Sequence, residues 1–489
     1  MIPRQRLAFV LGWEGRRLPS VVPLPYGTYQ GLLASLAILS ETCGPGSGCI
    51  QVEHTIELAP YLTPLFTVRI LMMTNARFGV AAMLFLLVGL TELGLSTLRA
   101  EDWARFRGPR GNGTSSDAKV PTEWNDSQNL KWKLRLPGAG FSSPIVVGER
   151  VFVTAYSGSR NRVKRHLVCV DRATGVAAWT RVIDGVGDGG DRGPANHGQA
   201  SHTPVSDGER VYAMFGSSGL IAFDMKGEQL WQQKLGNERA ARFGTASSPI
   251  LHNDHVIVTA GAESESIRAL DKKTGKEVWK TEAGSLSGTY STPLIVPNSQ
   301  GVDELLLSVT YELWSLNPSS GKLNWYAETE VDTAACPSLI AQDGIAYVIG
   351  GRRGGRAAVR IAGKGDVTDS SVVWSTGGGA YVPSPVLHNG HLYWVNDSGI
   401  ASCIDAKTGD QVARKRLGGR FYASVALINE KLYVVNRAGK THVLKATPKF
   451  EQIALNTLTD SSEFCGSPAV SNGQLFLRSD EFLYCIEAP

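Results

Sequence analysis

The chain has 489 residues, 43% of them apolar and 19% charged, a globular composition that excludes a disordered or collagen-like polymer. A formal net charge of +4 with no basic run gives no footing for nucleic acid or for an anionic membrane surface. Fifty-four glycines and eleven tryptophans imply many turns and large buried aromatics.

Residues 1–71 carry scattered Pro and Gly, with no clear period and no turn–strand rhythm. This upstream segment is expected to be disordered or not native, with Met72 or Met73 as the true start. Residues 72–100 resemble a secretory signal peptide: Arg77 gives a positive n-region, residues 80–90 an apolar h-region, and Ala100 a small residue at the cleavage point. Export to the periplasm or an equivalent compartment follows, with no stable membrane span after cleavage. No Cys near Ala100 offers a site for a lipid. Residues 101–128, opening EDWARFRGPRGNG, form an N-terminal arm.

Cleavage after Ala100 leaves Cys169, Cys336, Cys403, Cys465 and Cys485. An odd number without any CxxC defines neither a closed disulfide framework nor a zinc or thioredoxin-like site. Most of these cysteines sit in apolar strand-like runs, where small buried thiols are common. Cys465 and Cys485 are the one pair close enough in sequence to be bridged within a single repeat.

From residue 129 to 489 one unit recurs. Each copy opens with a Ser/Thr-Pro pair and a short apolar strand: Ser143-Pro144, Thr203-Pro204, Ser248-Pro249, Thr292-Pro293, Cys336-Pro337, Ser384-Pro385, Ser424-Val425 and Ser467-Pro468. Cys336 and Val425 mark two degenerate openings. After the opening come a polar turn, a strand alternating with period two, and a third strand. A tight turn then leads to a fourth strand ending on Trp, as in DRATGVAAW from Asp171, DKKTGKEVW from Asp271 and NPSSGKLNW from Asn317. Asp or Asn closes an Asx-turn, and Gly175, Gly275 and Gly321 take the positive φ that follows. Trp179, Trp279 and Trp325 end the strands. The second copy is a residue shorter, from Asp224 to Trp231, and the sixth keeps Asp405 and Gly409 but has Ala413 in place of Trp.

Four strands in about 44 residues cannot bury a face alone, so repeats of this kind stack around an axis. The expected fold is all-β: an eight-bladed β-propeller of four-stranded antiparallel blades. The last copy holds about three strands, and residues 130–136 (LKWKLRL) read as a Trp-bearing outer strand ahead of the first opening. Ring closure by that N-terminal strand in the last blade is therefore expected.

The A/V-x-D-x-x-T-G-x-x-x-W strings at Asp171, Asp271 and, loosely, Asn317, together with the Ser/Thr-Pro openings, resemble the pyrroloquinoline-quinone-type repeat family over residues 129–487. In one branch, that of quinone-dependent dehydrogenases, the resemblance implies a quinone and Ca²⁺ at the propeller centre. Here no adjacent Cys pair, no CxxCH and no matching calcium-binding set is found. The other, BamB-like branch implies a non-catalytic scaffold that binds proteins through its loops. The expected function is thus an exported binding or scaffold protein with no cofactor, acting as a monomer on other exported or envelope proteins or on a polymer. The alternatives are an oxidoreductase dependent on pyrroloquinoline quinone (PQQ) and calcium, of the alcohol or sugar dehydrogenase type, and a polysaccharide-binding module.

Residues just before the openings lie where loops enter the innermost strands. Phe141, Tyr290, Tyr381, Tyr422 and Phe464, with the charges of Arg242, Asp332, Arg420 and Glu463, would converge at one mouth of the channel as a ligand or partner site; Phe421 is a further aromatic there. The long first unit contains an insertion from Gly185 in which Asp188, Asp191, His197 and His202 have metal-ligand chemistry but no metal-site spacing. It is read as a loop. The run GGRRGGRAA from Gly350 is read as a hairpin turn with exposed charges. No GxSxG elbow or Walker loop occurs, and no catalytic residue or metal site is assigned.

Overall fold

The computed structural model describes residues 102–158, 162–184, 199–236 and 244–489, together with the backbone of three strands nearer the N-terminus. The chain divides into two units, Met1–Leu98 and Arg99–Pro489. In the first, Leu32–Leu39, Cys49–Leu58 and Thr67–Met73 form an antiparallel three-stranded sheet in sequence order. This corrects the expectation of no strand rhythm. CIQVEHTIEL does alternate apolar and polar residues, a period that the scattered Pro and Gly around it obscure. The remainder of the signal-like segment, residues 74–100, lies outside the described residues, as do Asp188, Asp191, His197 and Arg242.

The second unit is a β-propeller of eight small antiparallel sheets. Its innermost strands are, in blade order, Ile145–Val147, Val205–Ser206, Ile250–His252, Leu294–Pro297, Ile340–Gln342, Val386–His388, Ala426–Ile428 and Ala469–Ser471. Burial falls from the axis outwards. In blade 2 the second and third strands, Arg210–Met214 and Leu220–Asp224, are almost wholly buried, while the outer strand Gln229–Gln233 is mostly exposed. Central strands covered by a neighbouring blade on both faces are continuously apolar, and only the rim strand meets water on one side. The eighth sheet takes its outer strand from before the first: Leu130–Arg135 pairs antiparallel with Phe482–Ile486, Trp132 opposite Cys485.

A single device joins most blades at the rim. Outer-strand tryptophans reach over the turn of the following blade and donate Nε1–H to a carbonyl there. Trp132 donates to Arg172 (2.8 Å), Trp179 to Met225 (3.1 Å), Trp231 to Lys272 (3.2 Å), Trp279 to Pro318 (2.9 Å) and Trp374 to Ala406 (3.0 Å). Each indole lies on the glycine of that turn. A Cβ added at Gly175, Gly227, Gly275, Gly321 or Gly409 would come within 2.3–2.7 Å of the neighbouring Trp ring. The Asp of the turn holds it shut, as Asp271 does by accepting from Thr274 N (2.7 Å) and Thr274 Oγ1 (2.8 Å).

The register explains the cysteines of the interior. In each blade a β-bulge follows the residue of the third strand that faces the Trp position. That residue is small: Cys169, Ala222, Ala269, Ser315, Ala358, Cys403, Val443 and Cys485 in turn. Cys169, Cys403 and Cys485 therefore fill one repeat position beneath the rim. All five cysteines are free thiols, so Cys465 and Cys485 are not bridged.

Candidate functional site

The blade openings meet at the axis. Each opening residue donates its backbone N–H to the hydroxyl of the next blade's opening residue, and the chain of bonds closes on itself. Ser143 donates to Thr203, Thr203 to Ser248, Ser248 to Thr292 and Thr292 to Ser338. Ser338 donates to Ser384, Ser384 to Ser424, Ser424 to Ser467, and Ser467 back to Ser143. All eight bonds measure 2.9–3.1 Å. The hydroxyl residue of the fifth blade is thus Ser338, not Cys336. Cys336-Pro337 imitates an opening, but it sits two residues too early, and Leu339 follows Ser338 where most blades have Pro.

The ring encloses a cavity of about 120 Å³, room for about four waters. The residue two positions before each hydroxyl also faces it: Phe141, Ser201, Ala246, Tyr290, Cys336, Val382, Tyr422 and Cys465. Cys336 and Cys465 therefore share a second repeat position, and burial pushes both thiols up to about 12. Neither is a thiolate nucleophile near neutral pH.

Phe106 adds the floor. The N-terminal arm runs beneath the ring against the first strands and their turns. Trp103 O accepts from Val146 N (3.0 Å), Ala104 O from Ser206 N (2.9 Å), and Gly113 O from Leu427 N (2.9 Å). Thr114–Ser115 adds a parallel strand inside blade 7, and Asp117 Oδ2 accepts from Gly473 N (2.6 Å) in blade 8. Between these anchors Arg105 reaches the Pro293 carbonyl (3.3 Å) and Arg107 the carbonyls of Asn112 (2.8 Å) and Pro385. Arg107 is 2% exposed, and burial lowers its guanidinium to about 9. The arm thus closes one end of the channel.

At the other end the aromatics form a rim with two arginines. Arg352 lies over Tyr381 (5.7 Å to the ring centroid) and Arg437 over Tyr422 (4.5 Å). Burial raises the Tyr381 phenol, which keeps its proton. Glu463 does not face the cavity but pairs with Arg437. Asp332 is buried and accepts from Arg353 N (3.2 Å), and Arg420 is exposed away from the lining. Phe421 and Phe464 are fully buried packing residues, the first against His442 and the second stacked on Tyr484 at 5.8 Å. Of the expected site residues, Phe141, Tyr290, Tyr381 and Tyr422 come together at the cavity. Phe106, Ser338, Arg352 and Arg437 are additions that the sequence reading did not single out for the site.

Arg352 and Arg353 do project from the hairpin turn of the Gly350 run, but Arg356 of the same run is buried and lies over Trp394 at 5.8 Å. His202, next to the second opening, is buried with neither ring nitrogen hydrogen-bonded, and burial beside Arg165 lowers it to about 3. It is a neutral core histidine at physiological pH. No three His, Cys, Asp or Glu side chains converge among the described residues. No helix among them is long and apolar enough to cross a membrane.

The family model described as outer membrane protein assembly factor BamB matches residues 115–264 and 227–449, more than half of the chain. No curated protein matches the sequence. Among solved structures, BamB from Moraxella catarrhalis is 15% identical with a TM-score of 0.55, covering 73% of this chain and 97% of its own. A europium-containing methanol dehydrogenase is 11% identical with a TM-score of 0.59, covering 79% and 98%. The quinohemoprotein alcohol dehydrogenase from Comamonas testosteroni is 12% identical with a TM-score of 0.56, covering 79% and 80%. At these identities the likenesses speak to the fold.

Proposed function

The chain belongs to the family of the outer membrane protein assembly factor BamB, and on that footing we propose that it is an exported, non-catalytic scaffold that holds partner proteins at the open mouth of its channel. The observation that carries this reading is the rim. Tyr381 and Tyr422, each capped by an arginine, line a recess whose far end is closed by the arm. Tyr and Arg are the side chains that anchor protein interfaces, because they offer large rigid contact area with a polar tip. Replacing Tyr381 and Tyr422 together by Ala should abolish capture of envelope partners by the purified protein, with the urea midpoint nearly unchanged. Undiminished capture would remove the rim from the interface. N-terminal sequencing of the exported protein tests cleavage after Ala100.

A second reading, an oxidoreductase dependent on PQQ and calcium, is favoured by the equal fold likeness to the two alcohol-oxidising enzymes. The donor set around the ring does not fit calcium: among the described residues no carboxylate or side-chain amide lines the cavity, whereas Ca²⁺ takes 6–8 oxygen ligands, carboxylates prominent among them. Dye-linked oxidation of an alcohol or sugar after reconstitution with PQQ and Ca²⁺ would replace the scaffold reading.

A further inference from the structure

The hydroxyl ring has a donor surplus. A Ser or Thr hydroxyl has one proton to give and two lone pairs. In each of the eight, a lone pair takes the backbone N–H of the preceding blade, and among the described residues no hydroxyl passes its own proton to a protein acceptor. All eight are buried, from Thr203 at 1% to Ser467 at 7% exposure, and all eight line the cavity. Among the described residues the same wall carries no Asp or Glu.

A second observation, independent of the ring, has the same sign. The Arg107 guanidinium in the arm beneath the cavity is held only by neutral carbonyls, and its Nε and Nη1 have no partner. Arg478 on blade 8 is likewise buried, donates to Ser142 O (3.3 Å), Ser142 Oγ (3.1 Å) and Thr154 O (3.0 Å), and leaves Nη2 unpartnered. Asp480 lies within electrostatic reach of Arg478 and offsets part of its charge, so the positive field at this end of the axis comes chiefly from Arg107, and a closed circle of O–H groups supplies donors on every side. The complement of that environment is a small anion with acceptor atoms distributed over its surface.

We infer that the hydroxyl ring is a binding site for a compact oxyanion, of sulfate, phosphate or short-carboxylate size, seated on Phe106. The site lies deeper than the rim and stands or falls independently of the scaffold reading.

Selenate serves as the probe, because it is an oxyanion with an anomalous signal. Full-length protein in a sulfate- and phosphate-free buffer of bulky organic ions is titrated calorimetrically, and crystals grown in that buffer are soaked with selenate. The expected result is saturable binding of one anion, with a selenium peak in hydrogen-bond reach of several ring hydroxyls. Phe106→Trp, which raises the floor into the cavity, should weaken binding by about tenfold or more, and Thr292→Val should weaken it while Thr292→Ser restores it. The Thr292 pair carries the test if Phe106→Trp does not fold, as judged by circular dichroism. Absence of saturable heat from folded wild-type protein, a cavity holding water alone, or selenium seated elsewhere overturns the inference.

Discussion

Trp279 and Trp325 occupy the same repeat position in adjacent blades, yet they are held in different ways. Trp279 reaches forward over the turn of blade 4, lies on Gly321 and donates to Pro318. Blade 5 has no such turn: its third strand, Gly355–Arg360, is followed by residues 361–371, which carry a short parallel strand, Gly365–Asp366, and one helical turn. Trp325 is instead fully buried within its own blade and gives its Nε1–H to Glu304 Oε2 (2.8 Å), which also accepts from Ser315 Oγ (2.6 Å). Blade 6 completes the contrast. It faces blade 7, where Phe450 stands after the third strand instead of an Asx–glycine turn, and its own Trp position is Ala413. Docking is a property of a pair of blades: the indole has a place only where a glycine turn waits for it.

The largest test of that contrast removes the indoles. Trp279→Ala should destabilise by roughly 3–5 kcal/mol in urea unfolding, because it empties a seam between blades. Trp325→Phe should cost roughly 1–3 kcal/mol, chiefly through the donor that Glu304 loses. Equal effects would mean that the seam contributes nothing special. The next test separates backbone strain from the indole. Gly321 and Gly390 share a positive φ (+69° and +73°), but only Gly321 has a Trp ring against it, and nothing lies within 4 Å of a Cβ at Gly390. Gly390→Ala should cost about 1 kcal/mol, and Gly321→Ala about 1–3 kcal/mol beyond that through overlap with Trp279. Matching melting points for the two variants would break the docking argument at its centre.

The smallest effect concerns acid. Hydrogen bonds from Thr274 hold the Asp271 carboxyl below its ordinary value. A depressed carboxylate stabilises the fold above its unfolded pKa, and that contribution is lost as pH falls through the folded one. Blade 4 builds the same turn on Asn317, which cannot titrate. Asp271→Asn should therefore keep stability near pH 7 and flatten the decline below about pH 4, read as urea midpoints across pH. An unaltered acid slope would place the titration elsewhere.

The rim was legible because its information is local. A turn of Asp, Thr and Gly followed by Trp says what it does within nine residues, as from Asp271 to Trp279. The cavity aromatics were partly legible for the same reason, since Phe141, Tyr290 and Tyr422 stand two residues before a hydroxyl. Phe421 and Phe464 stand three before, and in extended chain that odd step turns the side chain to the opposite face, into the packing. Tyr381 also stands three before and still reaches the cavity, under Arg352. Ser338 escaped because proline, not the hydroxyl, is the conspicuous half of the opening.

Blade count, blade length and the buried thiols follow from the sequence, because turn chemistry and strand period repeat along it. The closed hydroxyl ring, the plug made by the arm and the pairing of each Trp with its turn belong to the tertiary structure. Arg107 and its Pro385 acceptor are 278 residues apart, and the bond that closes the ring spans 324. No local pattern encodes partners at that distance; they meet only because stacking eight sheets about one axis brings their inner edges together.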